Sequence, residues 1–322
     1  MLYLGIEIGG TKLQLGLGAG DGQLAALWRG RVAPAEGSAG IRRQIAEAVP
    51  ALLAQAKVAA NQIVGAGIGF GGPVDSASQV VIRSHQIEGW EEFPLAAWVA
   101  DMLHIPTRMG NDADVSGLAE ALYGAGKGIS PIFYITIGSG IGGGLIVDQQ
   151  IYPGAGRGAA EIGHLAITQC DEGQWRTDIL EHWASGWALQ HFVREQLRRG
   201  GFGNSALLLL AGGSIEHIIG QHVAQAAAQG DPLALRALER AIEALAQAIC
   251  HVIALLCPRR IIIGGGVSLM GESLFFEPLR AAVARQVFKP FAGLTEILPA
   301  GLGEEVVIHG AIALARHAAN DY

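Results

Sequence analysis

Leu2-Tyr3-Leu4-Gly5-Ile6-Glu7-Ile8-Gly9-Gly10-Thr11-Lys12-Leu13-Gln14-Leu15-Gly16-Leu17 reads as strand, tight turn, strand. Apolar residues fill both arms, and the glycines of the turn, having no Cβ, let backbone N–H groups approach a ligand closely. The pattern returns further along, in Phe133-Tyr134-Ile135-Thr136-Ile137-Gly138-Ser139-Gly140-Ile141-Gly142-Gly143-Gly144-Leu145-Ile146-Val147. A single copy is also an ordinary hairpin signal. Two copies point to a duplicated core whose turns grip a polyphosphate.

The rest of the composition fits that reading. A chain of 322 residues, 50% hydrophobic, buries substantial cores and is expected to form two domains. Its 47 glycines sit between apolar strands, as tight turns and close backbone approaches require. No apolar run nears the roughly 20 residues that span a bilayer, so no membrane partner is expected. The start, Met1-Leu2-Tyr3-Leu4-Gly5-Ile6-Glu7, lacks the basic segment and cleavage site of a signal peptide. Cys170, Cys250 and Cys257 make no disulfide framework, and the cytoplasm is the expected compartment. A net charge of -7 argues against a nucleic-acid surface.

Along the chain, residues 41–57 read as an amphipathic helix bent near Pro50, and Val64–Phe70 as a buried strand ending in Gly71-Gly72-Pro73. A short helix is expected at Leu95–Leu103, then a strand from Ile105 stopping at Asn111-Asp112, then a helix over Ala113–Tyr123. Helices are expected at Gly186–Arg199, Ile218–Gln229 and Pro232–Leu256, the last with Asp231 as N-cap and Pro232 in its first turn. The strand Arg260–Ile263 runs into Gly264-Gly265-Gly266, and a closing helix is expected over Gly310–Ala319. Strand, strand, helix, strand, helix, occurring twice, is the order of an α/β protein with duplicated mixed-sheet cores.

Taken together, Glu7-Ile8-Gly9-Gly10-Thr11-Lys12, Asn111-Asp112-Ala113-Asp114, Gly138-Ser139-Gly140-Ile141-Gly142-Gly143-Gly144, Glu161-Ile162-Gly163-His164 and Gly264-Gly265-Gly266 resemble the ROK family of sugar kinases and sugar-responsive repressors. The resemblance covers nearly the whole chain in the right order. It implies a two-lobed actin-like, ribonuclease H-like ATPase fold with a cleft between lobes. Residues 1–112 with 306–322 would form the N-terminal lobe and 113–305 the C-terminal lobe, the final helix crossing back to the first. It implies a homodimer as well.

Moving a γ-phosphoryl group to a sugar hydroxyl needs a carboxylate to take the hydroxyl proton, donors and a metal for the phosphates, and exclusion of water. Asp112, where a strand gives way to a helix, is the candidate carboxylate. Asn-Asp before a helix is also a common capping pair. The resemblance matches Asp112 to the catalytic base, leaves Asp114 as the better capping candidate, and assigns Asn111 to a sugar hydroxyl. A carboxylate and an imidazole spaced as Glu161 and His164 can accept from and donate to a polyol. Such pairs are also ordinary surface contacts. The resemblance makes both sugar-binding and adds Glu181, from Leu180-Glu181-His182-Trp183, and the backbone of Gly72.

For the phosphates and nucleotide, the candidates are Glu7, Gly9, Gly10, Thr11 and Lys12, then Gly138, Ser139 and Gly140, then Gly264, Gly265 and Gly266 with the helix expected after them. ATP and Mg²⁺ are the implied cofactors. Most members carry aspartate where this chain has Glu7, expected near the magnesium and acting through water. The added methylene moves the carboxylate by about a bond length. Many members also bind a structural zinc, but the positions of its cysteines hold Glu172, Gln174 and Ile179 here. Cys170 is out of register, and no zinc is expected. The loop is then expected to be ordered by packing through Trp175 and Trp183.

There is no Gly-x-x-x-x-Gly-Lys-Ser/Thr loop. Gly138–Gly143 runs into a strand rather than a helix, against a dinucleotide-binding reading. The leading expectation is therefore an ATP-dependent kinase of glucose or a related hexose. The alternatives are a polyphosphate-using glucokinase, a non-catalytic sugar or nucleotide sensor, and a repressor, which little room before Leu2 disfavours.

Overall fold

The arms of the first hairpin are buried almost residue by residue, because both faces of their sheet are covered. A computed structural model describes every residue except His85, Arg157, Gly201, Asn204, Asp321 and Tyr322, with the backbone alone at Asn320. In chain order the elements begin β1 (Leu2–Ile8), β2 (Lys12–Gly18), β3 (Ala26–Arg31), α1 (Gly37–Ala56), β4 (Ile63–Phe70), β5 (Val74–Asp75), β6 (Val80–Val81), α2 (Leu95–Leu103), β7 (Thr107–Asn111) and α3 (Asp112–Tyr123). They continue with β8 (Ile132–Ile137), β9 (Ile141–Val147), β10 (Gln150–Ile151), β11 (Ala166–Asp171), β12 (Gln174–Ile179), α4 (Leu180–Ala184), α5 (Gly186–Arg199), α6 (Ala206–Leu210), α7 (Gly220–Ala228) and α8 (Pro232–Leu256). Last come β13 (Arg260–Gly264), α9 (Glu277–Gln286), β14 (Glu296–Pro299) and α10 (Val306–Asn320).

Two compact units emerge: Met1–Tyr134 with Gly144–Ala160 and Ala300–Tyr322, and Ile135–Gly143 with Glu161–Pro299. The first holds a five-stranded sheet in the order β3-β2-β1-β4-β7. The hairpin pairs are antiparallel, while β1, β4 and β7 run parallel. The other five-stranded sheet has the order β10-β9-β8-β13-β14, and its strands β8 and β9 each pass from one unit into the other. The architecture is α/β with two mixed sheets.

Side-chain alternation explains how the first sheet is covered. Leu4, Ile6 and Ile8 of β1 and Ala66, Ile68 and Phe70 of β4 meet Ile41, Ile45 and Leu52 of α1 and Val99 of α2. The opposite face carries glycines. A Cβ on Gly67 would sit 1.8 Å from the Ala311 carbonyl oxygen of α10, so only glycine lets that helix lie so close to the sheet. From the other side, a Cβ on Gly310 would stand 1.9 Å from the Val115 carbonyl of α3. The helix α10 is thereby wedged between sheet and α3, with Ile308, Ile312 and Ala315 buried beside Tyr3.

Several boundaries differ from the sequence reading. The first long helix runs unbroken through Pro50. The closing helix starts at Val306, a full turn before Gly310, led by a short helical turn at Gly303–Glu305. The hairpin β11–β12 was not anticipated. The N-cap of α8 is as expected, the Asp231 carboxylate accepting from Leu233 and Ala234 N–H, each at 3.0 Å.

Candidate functional site

In the first unit the C-terminal ends of β1, β4 and β7 stop together, because Ile8 pairs with Phe70 and Phe70 with Asn111. The residues that follow, Gly9, Gly71 and Asp112, therefore leave the sheet at one edge. Ends of adjacent parallel strands are where open α/β sheets build their sites. Gly71 N–H donates to the Ile8 carbonyl at 2.8 Å. The Asp112 Oδ2 lies 3.4 Å from where a Gly71 Cβ would be, which places the carboxylate beside the strand end.

Asn111 settles which residue caps α3. Its Oδ1 accepts from Ala113 N–H at 2.9 Å, and its Nδ2 donates to the Gly72 carbonyl at 3.0 Å. The cap is thus Asn111, not Asp114, which lies buried within the first turn. An extended N-cap residue can point its side chain back over the helix end. The half-buried Asp112 needs no capping role of its own, and its carbonyl accepts from Ser116 Oγ at 2.7 Å.

At the first hairpin turn, Gly9 N–H donates to the Lys12 carbonyl at 2.9 Å. Gln86 covers the turn so closely that its Oε1 lies 1.3 Å from the position of a Gly10 Cβ. Glu7, at 6% exposure, pairs through Oε1 with Lys12 Nζ at 2.8 Å, while its Oε2 accepts no hydrogen bond from any described residue. Lys12 also donates to the Glu304 carbonyl at 3.4 Å. Burial pushes the Glu7 carboxyl up to about 7; Lys12 opposes the shift, and the Asp112 and Glu304 charges add to it.

The second unit builds its own constellation around Gly138-Ser139-Gly140. Gly138 N–H closes the turn on the Gly140 carbonyl at 2.9 Å, and Gly186 N–H donates to the Gly138 carbonyl at 2.8 Å. Glu181 Oε2 accepts from Ile141 N–H at 2.7 Å and would lie 2.4 Å from a Gly140 Cβ. Glu161 caps the 3₁₀ turn Ile162–His164 at its start and His164 is its last residue, while Gly163 packs on the Ile141 carbonyl. Desolvation raises the Glu161 pKa, the His164 charge lowers it and the Glu181 charge raises it, so the three residues share one electrostatic neighbourhood.

Gly264 ends β13, and Gly265, at φ +86°, backs onto Ile137, where Val267 N–H reaches the Ile137 carbonyl at 3.0 Å. The α-helix expected right after Gly266 is not there. A 3₁₀ turn at Ser268–Met270 and a π-helical turn at Glu272–Phe276 precede α9. Beside these turns opens a cavity of about 570 Å³, bounded by Gly138, Ser139, Gly186, Gly266 and residues of α5 and α7. Among the described residues no charged side chain lines it; Ser139, Gln190, Gln221 and Gln225 supply the polar groups.

The Glu172 carboxylate accepts from Gln196 Nε2 at 2.7 Å and Arg199 Nη1 at 3.0 Å. Among the described residues, no group of three His, Cys, Asp or Glu side chains is disposed to hold a metal. The expectation about Trp175 fails, since it is 76% exposed, whereas Trp183 is buried beneath Arg240.

The family model described as "ROK family" matches residues 3–318. The chain belongs to the ROK family. Among ROK relatives, a glucokinase from Thermotoga maritima is 31% identical, over 97% of this chain and 96% of that protein. A xylose repressor from Caldicellulosiruptor bescii is 26% identical, over 78% of this chain but only 62% of its own length. The crystal structure of a ROK glucokinase from Streptomyces griseus, in complex with glucose and AMPPNP, superposes with a TM-score of 0.82 at 30% identity, covering 98% of this chain and 100% of that one. The two-sheet α/β architecture is therefore the actin-like ATPase fold of ROK glucokinases.

Proposed function

We propose that this ROK protein transfers the γ-phosphoryl group of ATP to a hydroxyl of glucose or a closely related hexose, with Asp112 as the general base. That it is a sugar kinase rests on end-to-end correspondence with glucokinases. One observation carries the assignment of the base: β1, β4 and β7 end in register, so that Asp112 emerges beside Gly71 at the edge that also bears Glu7 and the first hairpin turn.

In this reading the sugar-binding residues are Asn111, Gly72, Glu161, His164 and Glu181, with Asp112 at the reacting hydroxyl. Asp112 accepts the hydroxyl proton as the oxygen attacks phosphorus. Backbone N–H groups at Gly10–Lys12 and Ser139–Gly140 hold the phosphates, in turns closed by Gly9 and Gly138, and Lys12 adds a positive charge. ATP is favoured over polyphosphate by the cavity beside Gly138 and Gly266, which lies within the usual range of small-molecule sites and whose described lining carries no charge. A net charge of -7 points the same way. The buried, unpartnered Oε2 of Glu7, under the influence of Asp112, fits a hydrated Mg²⁺, and these carboxylates would hold it through water. Bound there, the ion would neutralise phosphate charge.

A coupled ADP-release assay over hexoses and N-acetylhexosamines, with Asp112→Asn as control, tests the proposal. Sugar-stimulated ADP release in the wild type alone supports it. Sugar binding without release above the control would favour a non-catalytic sensor, and sugar phosphate formed from polyphosphate but not from ATP would reassign the donor.

A further inference from the structure

The hairpin β11–β12 links two parts of the sugar site assigned above. β11 starts two residues after His164, and β12 ends two residues before Glu181. At the base, Leu180 N–H donates to the Leu165 carbonyl at 2.9 Å, and midway Thr168 and Thr177 share a hydrogen bond of 2.7 Å. Strand register therefore fixes where Glu181 stands relative to Glu161 and His164.

The far end is held by charge. Its two-residue turn, Glu172-Gly173, has φ of +52° and +80°, a left-handed conformation that glycine adopts freely and glutamate does not. The Glu172 carboxylate engages Gln196 and Arg199 of α5, and Arg236 of α8 at 3.4 Å. One residue earlier, Asp171 Oδ2 accepts from Arg240 Nε at 3.1 Å, with both side chains largely buried. The Arg240 guanidinium lies 4.2 Å from the Trp183 ring centroid and 4.9 Å from that of Phe192. Trp183 is on α4, two residues from Glu181. The clamp thus touches the helix that bears a sugar carboxylate as well as the hairpin tip.

We infer that Asp171 and Glu172, through Arg199, Arg236 and Arg240, are positioning residues for the sugar subsite. Their ion pairs hold β11–β12 in the register that brings Glu161, His164 and Glu181 together. The inference rests on the sugar-site reading given above. It has a consequence that a neutral ligand makes visible. Glucose carries no charge, so its own contacts impose no ion-pairing dependence on salt, whereas partly exposed ion pairs weaken as salt shortens the Debye length.

The test is glucose binding by isothermal titration without nucleotide, at low and high sodium chloride, on wild type, the double variant Asp171→Asn/Glu172→Gln, and Glu181→Gln. The wild type is expected to bind glucose several-fold more weakly at high salt. The double variant is expected to bind about tenfold more weakly at low salt, with its salt dependence gone. Affinity for AMPPNP, measured alone, should stay within about twofold of wild type, which separates positioning from general loss of structure. Wild-type glucose affinity indifferent to salt overturns the inference, and this arm needs no variant to fold. So does a double variant that binds glucose as the wild type does while Glu181→Gln binds weakly. If Glu181→Gln also binds normally, the sugar-site reading itself falls, and the inference with it.

Discussion

Lys12 Nζ stands 2.8 Å from Glu7 Oε1 across the first hairpin turn, yet the Glu7 carboxyl still titrates near 7. Burial outweighs the ion pair. The folded value lies above the ordinary 4.5, so the folded state binds the extra proton and loses stability as pH rises from about 4.5 through about 7. A shift of that size corresponds to about 3 kcal/mol. Glu7→Gln should therefore gain thermal stability relative to wild type between about pH 5 and about pH 8 in ligand-free protein. Parallel melting curves across that range would exclude the effect.

Asp112→Asn should lower turnover by at least about a hundredfold, because the amide cannot accept the hydroxyl proton. Since Asn111 provides the α3 cap, the melting temperature should change little. A variant that keeps a tenth or more of wild-type turnover would remove Asp112 from the role of base.

Gly140→Ala places a methyl 2.4 Å from Glu181 Oε2 and must displace that carboxylate from Ile141 N–H. The KM for sugar should rise about tenfold or more. Gly138→Ala, which meets nothing within 4 Å in the described structure, should affect nucleotide more than sugar. Steady-state kinetics varying each substrate in turn distinguish the two.

Filling the cavity beside Gly266 tests the nucleotide assignment. Ala224→Phe adds bulk from α7. It should raise the KM for ATP by about tenfold with little change in glucose affinity, since an aromatic ring in a nucleoside-sized space excludes the base. An unchanged KM for ATP would place the nucleotide elsewhere.

Gly67→Ala should destabilise the chain by about 3 kcal/mol or more, because its Cβ would stand 1.8 Å from the Ala311 carbonyl and neither backbone can yield without shifting the α10 packing. Denaturant unfolding measures this directly.

The two glycine hairpins were legible because their turns and strands lie in one short stretch of sequence each. The same holds for α8, whose Asp231-Pro232 start is a local signal. What the sequence could not disclose was long-range. The alignment of Ile8, Phe70 and Asn111 that brings Glu7 and Asp112 to one edge depends on pairing among three strands. The capping role of Asn111 rather than Asp114 turns on one backbone torsion at the end of β7. Polar strands such as Gln174–Ile179, exposed along nearly their whole length, lack the apolar alternation that announces a strand. The hairpin they form was invisible for that reason, and with it the arginines that hold its tip.

The wedge of α10 between sheet and α3 bears on biosynthesis. Tyr3, near the start of the chain, is covered by Ile308, Ile312 and Ala315, near its finish. On the ribosome, the glycine-lined face of the first sheet stays uncovered until α10 has been made, whereas α1 reaches the other face soon after β1, β2 and β3.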